Sequence, residues 1–140
     1  MVVTPTVSRT DFSQFSLVSI AADEDANAVA VKDVLGGPCR LMALHVENED
    51  KVLLYLKLFD NVNPTLGTTD PDDIFAIPAA AEDDPQIADK GSSRPIAEFP
   101  NGKAFKNGLS VGLVTAAGTA GTTGPAEGVT ITMIVKPGVS

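Results

Sequence analysis

Lys51–Phe59, KVLLYLKLF, is the stretch whose reading sets the class of this fold. Val52, Leu54, Leu56 and Leu58 alternate there with Lys51, Leu53, Tyr55 and Lys57, a period of two that belongs to a half-buried β-strand. A helix would scatter the four aliphatic residues around its circumference. The alternation predicts that the aliphatic row faces a core, that Lys51 and Lys57 lie beside water, and that Tyr55 sits between them as an amphipathic side chain. Just upstream, Pro38–Asn48 (PCRLMALHVEN) reads as a second strand, with Met42, Leu44 and Val46 on one face and Leu41, Ala43 and His45 on the other. The short turn Asn48–Glu49–Asp50 between the two predicts a hairpin.

Working outward, the rest of the chain alternates strand signals with turn signals. Met1–Thr10 has no sustained period and reads, with the next two residues, as an N-terminal arm or peripheral strand over 1–12; residues 13–140 read as one domain. Asp23–Asp33 (DEDANAVAVKD) predicts a short strand after an acidic turn, and Gly36–Gly37–Pro38 punctuates the chain. Asn61–Asp73 (NVNPTLGTTDPDD) predicts a surface loop, Ile74–Pro78 a brief strand, and Ala79–Ser93 a long exposed excursion. Arg94–Pro100 and Gly102–Phe105 return toward the core, and Leu109–Val114 with Val129–Val135 predicts a closing strand pair around the small-residue loop Ala116–Glu127. Seven to nine strands spaced by turns predict an all-β, antiparallel β-sandwich of jelly-roll type.

Composition narrows the function classes. One domain of 140 residues buries roughly 68–70% of its unfolded surface, enough for a core without staples. With 44% hydrophobic and 20% charged residues, the chain is not a disordered one. Its net charge of −8, with no basic stripe, disfavours nucleic acid as a partner. The single cysteine, Cys39, excludes an intrachain disulfide, and no stretch reads as a signal peptide or membrane span, which predicts synthesis in the cytoplasm and no membrane partner.

Candidate chemistry is sparse. His45 is the one histidine and has no Ser–His–Asp spacing around it, so it reads as a polar cross-strand residue; Cys39, outside any CxxC pattern, reads as a small buried apolar residue. The acidic clusters Asp23–Glu24–Asp25, Asp70–Asp72–Asp73 and Glu82–Asp83–Asp84 invite calcium, yet none follows the EF-hand pattern, and they read as solvated loop charge. Ala116–Gly124 (AAGTAGTTG) lacks the GKS/T ending of a phosphate loop and reads as a flexible hairpin or inter-subunit loop. No catalytic residue, cofactor or metal site is expected.

Four stretches together carry a resemblance: YLKLFDNVNPTLGTTDP (55–71), the IP ending of the next strand (77–78), FPNGKAFKNGL (99–109) and VTAAGTAGTTGPAEGVTITMIV (114–135). In this cadence the chain resembles small structural proteins of tailed bacteriophages, cyanophages included, over about residues 38–136, with the acidic insertion Glu82–Lys90 as a departure. The resemblance implies a β-sandwich in the virion, as a capsid decoration (cement) protein or in the neck, tail or fibre apparatus. The expected partners are then the chain itself, as a dimer or trimer, and the major capsid protein or another virion protein. A tail- or fibre-associated module binding a host-surface glycan is the alternative, ranked second because the aromatic residues fall mainly in or beside the expected strands.

Overall fold

In the computed structural model the chain forms eight β-strands in two antiparallel sheets, a β-sandwich, with no helix among the described residues. The structure describes residues 5–24, 28–48, 52–78, 92–125 and 128–138, the stretch 92–97 by its backbone path only. The strands are β1 (Thr6–Asp11), β2 (Ser16–Ala21), β3 (Cys39–Asn48), β4 (Leu54–Asp60), β5 (Asp73–Ile77), β6 (Ser92–Phe105), β7 (Leu109–Val114) and β8 (Val129–Pro137). One sheet has the order β1-β2-β8-β3-β6 and the other β5-β4-β7. Between them lies one core, built from alternate residues such as Val18 and Ile20 of β2, Leu54, Leu56 and Leu58 of β4, Leu109, Val111 and Leu113 of β7 and Ile131, Met133 and Val135 of β8.

Sheet membership departs from the expected pairings. β3 and β4 do not form a hairpin: β3 pairs with β6 and β8, β4 with β5 and β7, so the connection between them crosses from one sheet to the other. The physical reason is that both strands bury their aliphatic rows on the same core, and facing each other across it buries both rows more fully than lying side by side. β7 and β8 part in the same way, into different sheets. Residues 94–105 belong to one continuous strand that begins at Ser92, and β2 is a strand that the sequence expectations lacked. Of the strand expected at 23–33, the described residues show a single bridge, Val31 to Val111, which lays this segment along the outer edge of β7. Residues 79–91, including Glu82–Asp84, lie outside the described residues, as do Asp25 and Lys51.

Two side-chain assignments change with the local geometry. In β3 the register slips between Leu41 and Ala43 against both neighbours, a bulge that inserts one residue and reverses the phase of the pleat. Cys39 and Leu41 therefore face the core before it, Leu44 and Val46 after it, and Met42 is only half-buried. Opposite this bulge, Gly102 adopts φ +74°, and a Cβ there would lie 2.8 Å from Arg40 Cβ and Met42 Sδ, so only glycine fits the turn. In β4 the expected core row holds at Leu54, Leu56 and Leu58, whereas Val52 precedes the strand and is 46% exposed. Lys57, expected beside water, is 1% exposed.

Lys57 is buried because the back of the small sheet is itself covered. Leu66, from the connection between β4 and β5, lies so close over Gly112 that a Cβ there would come within 2.6 Å of its Cδ2, and Ala28, Ala30, Phe59, Leu66 and Val114 form a second apolar cluster. The loop after β7 is tied down: Ala28 N–H donates to Thr122 O (2.7 Å), Thr115 N–H to Thr123 O (2.9 Å) and Thr119 Oγ1 to Asp70 Oδ1 (2.5 Å). Lys57 thus lies under loops, and the flexible hairpin expected at Ala116–Gly124 is anchored.

Cys39 is fully buried, and burial pushes its thiol up to about 11. Folding then favours the protonated thiol: this group's contribution is intact below its ordinary 9.0 and is lost as pH rises through about 11. In the native protein Cys39 is expected to resist an aromatic disulfide reagent at pH 8 and to react at once in denaturant; rapid labelling of the folded chain would contradict its place in the core.

Candidate functional site

The five-stranded sheet turns its second face outward, and its register orders that face into rows. Across the sheet from β1 to β6 the first row is Thr10, Leu17, Ile134, Ala43 and Glu98; the second is Ser8, Ser19, Thr132, His45 and the position of Pro95; the third is Thr6, Ala21, Thr130, Glu47 and the position of Ser93. This follows from the period of two: with Val18, Ile20, Ile131, Met133, Leu44 and Val46 in the core, their neighbours in sequence must point away from it. The result is a hydroxyl-rich face with an apolar centre. Leu17 (37% exposed) and Ile134 (36%) wall a groove of about 240 Å³, completed by Ala43, Leu44, His45, Thr132 and Glu98.

His45 therefore sits as expected, on the face opposite Leu44 and Val46, with Thr132 directly across from it. A hydroxyl beside an imidazole is one element of acyl-transfer chemistry, which also needs donors aimed at a developing oxyanion. Here β3 and β8 are both central strands whose backbone groups pair with neighbours on either side, so the sheet beneath His45 offers its hydrogen bonds inward to the ladder.

A second feature stands at the tip of the β1–β2 hairpin. Phe12 N–H donates to Phe15 O (2.8 Å), closing the turn, and the two rings stack with centroids 4.8 Å apart while 53% and 38% exposed. Below the tip, Asp11 accepts from Arg9 Nε and from Ser16 Oγ, both at 2.6 Å; the Ser16 and Arg9 hydrogen bonds hold its carboxyl below the usual range. Sequence reasoning missed this tip, although FSQF between two alternating stretches carries the signal.

The acidic clusters have mostly structural employment. Asp23 is 5% exposed, contrary to the expected solvated charge, because its Oδ2 accepts from Val29 N–H (3.0 Å) and holds the crossing toward β7. Asp72 Oδ2 accepts from Asp60 N–H (2.6 Å), and Asp73 Oδ2 lies 2.7 Å from Lys103 Nζ. That ion pair joins β5 to β6 and so ties the two sheets along one open side of the sandwich. Among the described residues no three His, Cys, Asp or Glu side chains converge on a common point, and no helix is long and apolar enough to cross a membrane. No protein-family model, curated protein or solved structure matches the chain.

Proposed function

We propose that this chain is a non-enzymatic structural protein of a tailed-phage virion, a capsid decoration (cement) protein that seats on the shell through the outer face of its five-stranded sheet. The observation that carries the reading is the row Thr10–Leu17–Ile134–Ala43–Glu98, an apolar centre with polar ends on a rigid, open surface. An open apolar surface of this kind suits contact with a repeating lattice, and the cadence of residues 38–136 supports the same placement. Strands about 4.8 Å apart and rows about 7 Å apart give the fifteen positions of this face an area of about 500 Å². A standard interface needs about 800 Å² from each partner, so one copy binds weakly and several joined copies bind well.

The exposed Phe12–Phe15 pair favours a second reading, a tail- or fibre-associated module whose hairpin tip stacks on a host-surface glycan. One experiment separates the two. Virions with and without the protein are heated, and their DNA release and host adsorption are measured side by side. A cement protein binds the assembled shell and not its free subunits, so particles lacking it should release DNA at lower temperature while adsorbing normally. Unchanged heat resistance with lost adsorption would replace cement with adhesin. Hydrolysis of a host polysaccharide by the purified chain would overturn both.

A further inference from the structure

We infer that two copies of this chain pair through β1, antiparallel about a two-fold axis at Thr10, to form one continuous ten-stranded sheet. The inference begins with how the sandwich treats its edges. An unpaired strand edge invites another strand, and proteins blunt such edges with proline, lysine, bulges or a covering segment. Three of the four edges here are treated in that way. β6 carries Pro95 and Pro100 and two irregularities in its register; β5 is five residues long, is followed by Pro78, and is tied by Asp73 to Lys103; and β7 is covered by the segment bridged at Val31. β1 (TVSRTD) follows Pro5 but has no proline, lysine or bulge within its own six residues, all of them exposed, and its two charges, Arg9 and Asp11, are of opposite sign and so can pair with a second copy.

The hydrogen bonds at the ends of this hairpin determine which groups are on offer. The bond from Phe12 N–H to Phe15 O makes residues 12, 10, 8 and 6 point their backbone toward β2, and the bond from Ala22 N–H to Val129 O fixes the complementary phase in β2. The backbone groups of Val7, Arg9 and Asp11 therefore point to the free edge. For two copies related by a two-fold axis normal to the sheet, only registers that pair side chains on the same face are possible. Centring on Arg9 sets two guanidinium groups against each other, and centring on Ser8 sets Arg9 against Val7. Centring on Thr10 sets Arg9 of each copy directly opposite Asp11 of the other, which forms four backbone hydrogen bonds, four edge groups satisfied on each copy, and makes two cross-strand ion pairs beside the Arg9–Asp11 bond within each copy. It also brings Phe12 against Ser8 of the second copy, covering part of the exposed tip.

This pairing stands apart from the virion reading. It has one consequence for it: both outer faces lie on the same side of the joined sheet, which doubles the contact surface.

The test is a cysteine scan of β1 with a charge exchange. Opposed residues at a non-hydrogen-bonded pair lie about 4.5 Å apart at Cα, inside the range a disulfide needs. Mild oxidation of Thr10→Cys should give a covalent dimer, and Ser8→Cys should not; Cys39 is buried and does not compete. By sedimentation, Arg9→Asp or Asp11→Arg alone should weaken the dimer by about tenfold or more, and the two together should restore it. Circular dichroism melts check that each variant is folded. A wild-type chain that stays monomeric at millimolar concentration, cross-linking through Ser8→Cys in place of Thr10→Cys, or a double exchange that leaves the chain monomeric would each overturn the pairing.

Discussion

Leu56→Ala is expected to destabilise the protein by about 2–5 kcal/mol, the range for truncating a fully buried leucine in a core that relaxes only in part. Leu56 is in the middle of the small sheet, opposite Phe75 on β5 and Leu113 on β7, and is fully buried. Its methyl groups are thus enclosed laterally by neighbouring strands and in front by the facing sheet, which leaves little freedom to close the cavity. Val52→Ala, two turns of the pleat earlier, should change stability by less than about 0.5 kcal/mol, because Val52 is exposed before β4 begins. Urea denaturation of the two variants measures the contrast. Equal losses would mean that the buried row starts earlier than Leu54, and a negligible loss at Leu56 would remove β4 from the core.

That contrast also marks how far the sequence could be read. The alternation in KVLLYLKLF identifies a strand and its buried row because a period of two is a local property. It does not identify the sheet. β3 and β4 would show the same alternation as hairpin partners or as facing strands, and the three-residue turn Asn48–Glu49–Asp50 suits either. The bulge at Met42 was equally hidden, since it answers to the four residues 99–102 that β6 sets opposite it, Gly102 among them, and not to anything within β3. β2 is a different case: Ser16, Val18 and Ile20 alternate with Leu17, Ser19 and Ala21, so the strand was legible by the same rule that found β4.

Of the candidate surface, the sequence placed His45 and Ala43 together on the face opposite Leu44 and Val46 but could not join them to Leu17 and Ile134. These four residues meet only through two long-range ladders, β2 with β8 and β8 with β3, whose register is fixed by burying Val18, Met133 and Leu44 on the other face. Asp23 was misread for a related reason. A carboxylate that accepts a backbone N–H further along the chain, as Asp23 does from Val29 and Asp72 from Asp60, has the same sequence signature as one that is simply hydrated.

Lys57→Met is expected to stabilise the protein by about 1–3 kcal/mol, an uncommon sign for a substitution at a buried position. Lys57 pairs with Ile74 and Gly112, shares its face with Tyr55 and Phe59, and its Nζ has no hydrogen-bond partner among the described residues. Burial lowers the ammonium's pKa, and among the described residues no opposing charge restores it. Methionine keeps the length and the apolar stem while removing the group whose desolvation opposes folding. The pH dependence tests the cause. With the folded-state pKa depressed below the ordinary 10.5, the unfolded chain binds the extra proton, so wild-type stability rises as pH climbs from the folded value toward 10.5. Cys39 acts in the opposite direction between 9.0 and about 11, and a comparison of wild type with Lys57→Met cancels its contribution. The advantage of Lys57→Met should therefore be full below the folded-state value and shrink as pH rises from there toward 10.5. A loss of stability on making Lys57→Met would mean that the ammonium holds an anionic partner in solution, and an advantage that does not change with pH would assign the gain to packing and not to the buried charge.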